Sequence, residues 1–190
     1  SSQSGAEKRM RDDDAALVAR LRAGEEDAYR EFVEIYQDRI LTVAGRVAGS
    51  ASDAEDLAQE TFIKAFGAID RFEGQSALFT WLYRIAVNTA RDHLAHRRRR
   101  PAVPLDERIV DPVSTADSPD EALQRQDDRR RVRRALDQLP EPFRTTLVLR
   151  EMEGHTYDEI ARILEVSIGT VESRIFRARG KLRAILEKDH

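Results

Sequence analysis

Along most of the chain, apolar residues recur three or four positions apart, the period of a helix with one buried face. The first such stretch spans residues 12–23 and stops at Gly24. A second begins near Asp27 and sets Phe32, Ile35, Tyr36, Ile40, Val43, Ala44 and Val47 on one side, with Gly49 after it. The run "SDAE", Ser52 to Glu55, reads as a capping box, in which the serine accepts from the third backbone N–H and the glutamate reaches back. It predicts a helix ending near Ile69. The loop "DRFEGQS" follows, with Ser76 as the expected N-cap of a long helix through Arg100. Pro101 ends that helix, because proline lacks an N–H and restricts the residue before it.

From Pro101 to Asp117 the helical period is lost, and Pro101, Pro104, Pro112 and an excess of acid predict a flexible linker. "SPDE", Ser118 to Glu121, restarts helix, with serine as cap, proline at the first helical position and glutamate at the third. That helix is expected to run to Leu139. "PEPF" opens the next, Gly154 closes it, and Thr156 with Glu159 forms a further capping box. The pattern therefore predicts an all-α chain. Two small helical domains, at residues 12–98 and 119–190, are joined by an acidic linker at 99–118 and preceded by a disordered tail at 1–11.

The last part of the chain fits a helix-turn-helix. Ile160, Leu164, Val166 and Val171 are apolar where two helices would pack, Ala161 is small where they would cross, and Ser167 caps the second. Glu165 stands at the turn, where glycine is usual because φ is positive there. Sorted at 100° per residue, Val171, Ile175, Ala178 and Leu182 of the second helix point inward. Thr170, Ser173, Phe176 and Arg177 point outward, flanked by Glu172, Lys181 and Arg183. Hydrogen-bonding and cationic groups suit a helix in the DNA major groove, where arginine can grip guanine and an apolar ring can meet thymine methyls. The plainer alternative is a solvated basic helix with Phe176 packed on the helix before it.

Charge complicates this picture, because the net charge is −3. It is strongly segregated, however. Residues 84–100 hold six arginines against Asp92, and residues 167–183 hold five lysines or arginines against Glu172. Residues 101–120 hold five acids against Arg108. Local patches, not the total, decide what a strand of DNA meets. With no cysteine, disulfides, thiolate zinc sites and cysteine nucleophiles are excluded, which suits a reducing cytosol. No apolar run is long enough for a membrane span, and no signal peptide is expected. His93 and His96 lie three apart without a recognisable carboxylate partner, so a basic surface fits them better than a metal pair.

The first half carries two further faces. Asp56, Gln59 and Glu60 share one side of their helix, which composition alone would leave as a solvated acidic face. On the long helix, Leu78, Leu82, Ile85, Ala86 and Thr89 sort inward. Thr80, Arg84, Val87 and Arg91 sort outward, with Asn88 at the border, Trp81 near the inner seam and Phe72 in the preceding loop. Basic, amide and aromatic groups together suit a single strand with unstacked bases, although Trp81 and Phe72 also suit a core.

Together, "DAEDLAQETFIKAFGAIDRF", "ALFTWLYRIAVNTARDHL" and "LPEPFRTTLVLREMEGHTYDEIARILEVSIGTVESRIFRARGKLR" closely resemble a bacterial RNA polymerase sigma factor of the small extracytoplasmic-function group. The resemblance spans about residues 12–186, in order. It implies that Asp56, Gln59 and Glu60, matching a D-L-x-Q-E motif, dock on the clamp helices of the polymerase β′ subunit. It implies that Phe72 and Asn88 border the pocket for a flipped base of the −10 element, while Arg84 and Arg91 hold that strand's phosphates. By the same resemblance, Thr170, Glu172, Ser173, Phe176, Arg177 and Lys181 form the −35 reader. Many members carry arginine where this chain has Glu172, so its −35 preference is expected to be its own.

The implied activity is promoter recognition and melting for transcription initiation, with no catalytic residue, cofactor or metal. The implied partners are core RNA polymerase (β′ clamp helices and β flap), promoter DNA (duplex at −35, single-stranded at −10) and an anti-sigma factor, in the cytoplasm and on the nucleoid when in holoenzyme. The competing expectation is a helix-turn-helix regulator that binds duplex operator without polymerase.

Overall fold

The computed structural model describes residues 13–99 and 119–188, and the side chains of the second span from 127 onward. Every regular element among them is helical. The order is α1 (13–22), α2 (Glu26–Ala48), α3 (Ala54–Ala68), a 3₁₀ turn (Ile69–Arg71), α4 (Leu78–Arg99), α5 (Pro119–Asp137), α6 (Glu141–Leu147) continuing into a π turn (Val148–Met152), α7 (Tyr157–Leu164) and α8 (Ile168–Lys188). The expected tail, the linker beyond Arg99 and the Ser118 cap lie outside the described residues, and Arg99, expected in the linker, is the last residue of α4. α5 ends two residues earlier than expected.

The first bundle packs α1 to α4 around Phe32, Ile40, Leu57, Leu78 and Leu82, all fully or nearly fully buried. α2 and α3 approach closely at Gly45, where an added Cβ would lie 2.8 Å from Ala54 Cβ. α2 stops at Gly49, whose φ of 64° is the left-handed cap that glycine adopts without strain. Ile35, expected on the buried side, is 52% exposed. It lies about 100° round the helix from Tyr36, off the inward stripe.

Two expected caps are replaced. α3 begins at Ala54 with Asp53 at the cap position and no side-chain cap bond, so the Ser52–Glu55 box does not form. Asp53 instead accepts from Ser50 at 2.7 Å and meets His93 at 2.9 Å. α4 begins at Leu78, two residues past Ser76, and its first N–H donates to Asp14 of α1 at 3.0 Å. A cap supplied from a distant helix does not show in local spacing. α1 also sends Arg22 to the carbonyls of Ile69 and Phe72, pinning the turn before α4.

The second bundle is α5 to α8; Val148, Leu149, Ile160 and Ile175 join the core of the first, while Leu136, Leu139, Leu147 and Ala178 form a cluster of their own. Thr80 and Val87, sorted outward on α4, are buried because α7 and the loop before it cover that face. Tyr83 donates to Glu153 at 2.7 Å across the seam. Arg144, buried in α6, donates to the Val47 carbonyl at the end of α2 at 2.8 Å.

His155 lies in this seam, stacked on Phe79 (centroids 5.6 Å apart) and edge-on to Tyr83 at 4.6 Å. Burial pushes its imidazole below the ordinary 6.5, aided by Arg39 and opposed by Glu159 and Glu153. Arg150 donates to its backbone carbonyl at 2.9 Å. The folded seam therefore holds neutral histidine. Below pH 6.5 an unfolded chain takes up a proton that the folded chain resists, so this stability is full above that value and drains as pH falls. Urea midpoints from about pH 7.5 to about 5.5 should drop more steeply for the native chain than for His155→Gln. Equal slopes would remove His155 as the cause.

Candidate nucleic-acid interface and docking face

The helix-turn-helix is built as its caps dictate. Thr156 Oγ1 accepts from Glu159 N at 3.2 Å, and Glu159 Oε2 accepts in turn from Thr156 N at 2.9 Å. Glu165 occupies the left-handed turn at φ 55°, the one non-glycine residue with positive φ among those described. Its N–H still closes onto Ala161 O. Ser167 Oγ accepts from Thr170 N at 3.1 Å and opens α8. Val171, Ile175 and Ala178 are buried in the core, as are Ile160 and Leu164.

The opposite face of α8 is open. Glu172, Ser173, Arg177 and Lys181 are exposed. Phe176 is 81% exposed, which rules out packing on the preceding helix. Thr170 is half-buried, its hydroxyl 2.8 Å from Ser167 Oγ. Lys181 Nζ lies 5.8 Å from the centre of the Phe143 ring. An exposed phenylalanine between an acid and an arginine stabilises nothing within the fold.

On the first bundle, Phe72 and Trp81 are both buried, with ring centres 5.3 Å apart. Beside them is a polar cavity of about 340 Å³ lined by Arg71, Gln75, Ser76, Thr80 and Arg84, with Arg162 and Glu165 of the second bundle as its far wall. Phe72 and Arg84 thus come together at one cavity. Asn88 and Arg91 follow along the same side of α4, outside it. Asn88 is exposed, and Arg91 Nε pairs with Glu141 at 2.7 Å.

Asp56, Gln59 and Glu60 are exposed along α3. Glu60 pairs with Lys64 at 2.7 Å, and Lys64 also donates to Thr89 of α4. Gln59 borders a groove of about 500 Å³ between α2 and α3, floored by Ala58 and Phe62 and edged by Asp38, Leu41, Glu55 and Ile63. Ile63 is 63% exposed. These apolar residues escaped the sequence reading, yet the signal was present. Leu41 and Ile63 are large and apolar but stand off their helices' inward stripes. His93 and Arg97 both meet Asp53, a surface charge cluster. No group of three potential metal ligands occurs among the described residues, and no helix among them is long and apolar enough to cross a membrane.

The chain matches the family models for Sigma-70 region 2 over residues 32–100 and Sigma-70, region 4 over residues 129–182. It is 41% identical over 181 residues to RNA polymerase sigma-H factor of Pseudomonas aeruginosa, covering 92% of this chain and 94% of that one. It is 40% identical over 173 residues to the ECF RNA polymerase sigma-E factor of Escherichia coli, covering 87% and 90%. Among solved structures, it is similar to CnrH in complex with the cytosolic domain of CnrY, with a TM-score of 0.69, 29% identity and 93% and 99% of the two chains covered. It is also similar to the sigma factor RpoE in complex with the anti-sigma factor NepR from Bartonella quintana, with a TM-score of 0.64, 26% identity and 85% and 98% covered. With two sigma-region matches in order and relatives alike over nearly their whole length, the chain belongs to the extracytoplasmic-function family of RNA polymerase sigma factors.

Proposed function

We propose that this sigma factor docks on the β′ clamp helices of core RNA polymerase through Asp56, Gln59 and Glu60, with the β flap engaging the second bundle. It reads duplex −35 DNA with Thr170, Glu172, Ser173, Phe176, Arg177 and Lys181. It takes the single −10 strand along Phe72, Arg84, Asn88 and Arg91. The division follows two domains, residues 12–98 and 119–190. Capture of an unpaired base favours the melted promoter because only that form presents it. Covalent chemistry stays with core polymerase.

The open outer face of α8 carries this reading, above all Phe176 at 81% exposure. The apolar groove beside Gln59 supports a protein partner at the docking face, with acids at its rim. An anti-sigma factor is a further expected partner, since the RpoE relative is solved with one. Sigma factors act on polymerase in the cytoplasm, and nucleoid association in holoenzyme follows from the proposed DNA contacts.

Core polymerase supplemented with this chain should yield run-off transcripts from a subset of genomic templates, and a complete absence of product would overturn the reading. Replacing Gln59 and Glu60 with alanine should weaken core binding roughly tenfold while leaving duplex binding by α8 intact. Unchanged core affinity would displace the docking site. Arg177→Ala should cost about 1–3 kcal/mol of discrimination between −35 sequences if Arg177 reads a base. A uniform loss on all duplexes would reassign it to phosphate.

A further inference from the structure

The first turns of α8 present an exposed carboxylate, Glu172, on the same open face as Arg177 and Lys181. Glu172 makes no ion pair or hydrogen bond among the described residues. Ile168, Gly169, Ile175 and Phe176 hold the positions three and four residues away, so the helix itself offers it no cation at pairing distance. Arg179, two turns on along the same flank, is held by Glu151 at 2.5 Å. By contrast, Glu141, Glu153 and Glu165 of the same bundle each meet a partner. The other side chains proposed to read the duplex divide in two. Thr170 Oγ1 lies 2.8 Å from Ser167 Oγ, Ser173 donates to the Thr170 carbonyl at 3.0 Å, and Lys181 lies against the Phe143 ring. Phe176 and Arg177, like Glu172, make no such contact among the described residues.

We infer that Glu172 reads a cytosine of the −35 duplex, accepting a hydrogen bond from the N4 amino group in the major groove. The inference rests on the proposed reading of duplex DNA by α8. A carboxylate accepts hydrogen bonds and donates none. Laid against phosphates it is repelled, so a seated α8 must aim it at base edges or lose affinity. In the major groove guanine shows two acceptors, thymine an acceptor and a methyl group, and adenine a donor beside an acceptor. Cytosine alone shows a donor with no acceptor next to it. Only that edge attracts the carboxylate without a competing repulsion. Phe176 follows one turn on, about 40° round the helix, and is 81% exposed. Its ring excludes water from the groove beside the carboxylate. The lowered local dielectric strengthens a bond that is made and raises the cost of one that is not. Glu172 therefore acts chiefly by penalising the wrong base. Arg177, about 140° round from Glu172, stands at the other edge of the face, where its fork suits guanine N7 and O6.

The test offers a linear duplex library, randomised in both the −35 and the −10 segments, to holoenzyme made with the wild type, Glu172→Gln or Glu172→Ala, and sequences the bound DNA. The wild type should select cytosine at one −35 position about fivefold or more over each other base. Both variants should lose that cytosine. Glu172→Gln should turn toward adenine at the same position, because a carboxamide pairs with adenine N6 and N7 together. Selection at the remaining −35 positions should persist, which shows α8 folded and seated in both variants. An unchanged cytosine in both variants, or a wild-type base other than cytosine at the position that responds, would overturn the inference. Loss of selection at every −35 position in both variants would make Glu172 a structural residue and overturn it as well. A wild type with no base preference anywhere in the −35 segment, while the −10 segment is still selected, would overturn the duplex reading by α8 itself, and this inference with it.

Discussion

Phe32→Ala is expected to lower unfolding stability by about 3–5 kcal/mol, the range for deleting a fully buried aromatic ring. Phe32 has no exposed surface. Its ring lies 5.2 Å from Tyr36, 5.8 Å from Phe62 and 5.8 Å from Phe66, centre to centre. The alanine leaves a cavity walled by three rings, and close-packed interiors relax only in part to fill such a space. Against a typical domain stability of about 5–15 kcal/mol, that loss puts the first bundle near its unfolding threshold. Phe62 and Phe66 also line the groove beside Gln59, so weakened core binding should accompany the loss if that groove belongs to the proposed docking face. Urea denaturation of the full chain gives the number. A change below about 1 kcal/mol would mean that the bundle collapses around the site.

Arg144→Ala should cost about 3 kcal/mol, combining charge-assisted hydrogen bonds worth about 1.5–3 kcal/mol with the packing of the side chain's stem. The guanidinium donates to Val47 O at 2.8 Å, Asp137 O at 3.2 Å and Leu139 O at 3.5 Å. It therefore ties the ends of α2 and α5 to the start of α6. Burial lowers its pKa, yet an arginine stays charged through the ordinary range. Its position at the carboxyl end of α2 places that charge where the helix dipole is negative. Arg144→Lys should recover only part of the loss, because a single ammonium cannot span three carbonyls set around a fork. Thermal melts measure the stability, and scattering measures whether the bundles part. A melt unchanged by the alanine would show that solvent replaces these bonds at no cost.

The helices were legible because each buries one continuous stripe, and a stripe leaves its period in the sequence. The outward face of α8 was legible for the same reason: nothing else packs on it, so angular sorting of one helix suffices. On α4 the same sorting failed. Thr80 and Val87 follow the outward period but are covered by a bundle that lies some seventy residues on. A single helix's pattern records its contacts with neighbours only where those contacts are strongly apolar. Beside its apolar contacts, this seam uses tyrosine, histidine, arginine and glutamate, which read as surface. The caps behave similarly. Thr156–Glu159 is local and visible, whereas Asp14 reaches α4 across sixty-four positions and is not.

That long-range cap changes where the first unit begins. The family match starts at residue 32, but α1 buries Leu17, Val18 and Leu21, closes the first turn of α4 through Asp14 and pins the turn before it through Arg22. A chimera that exchanges promoter specificity between family members at the family boundary would separate α4 from its own cap. The transplantable cassette starts at or before Asp14, and a fusion partner or affinity tag belongs upstream of it.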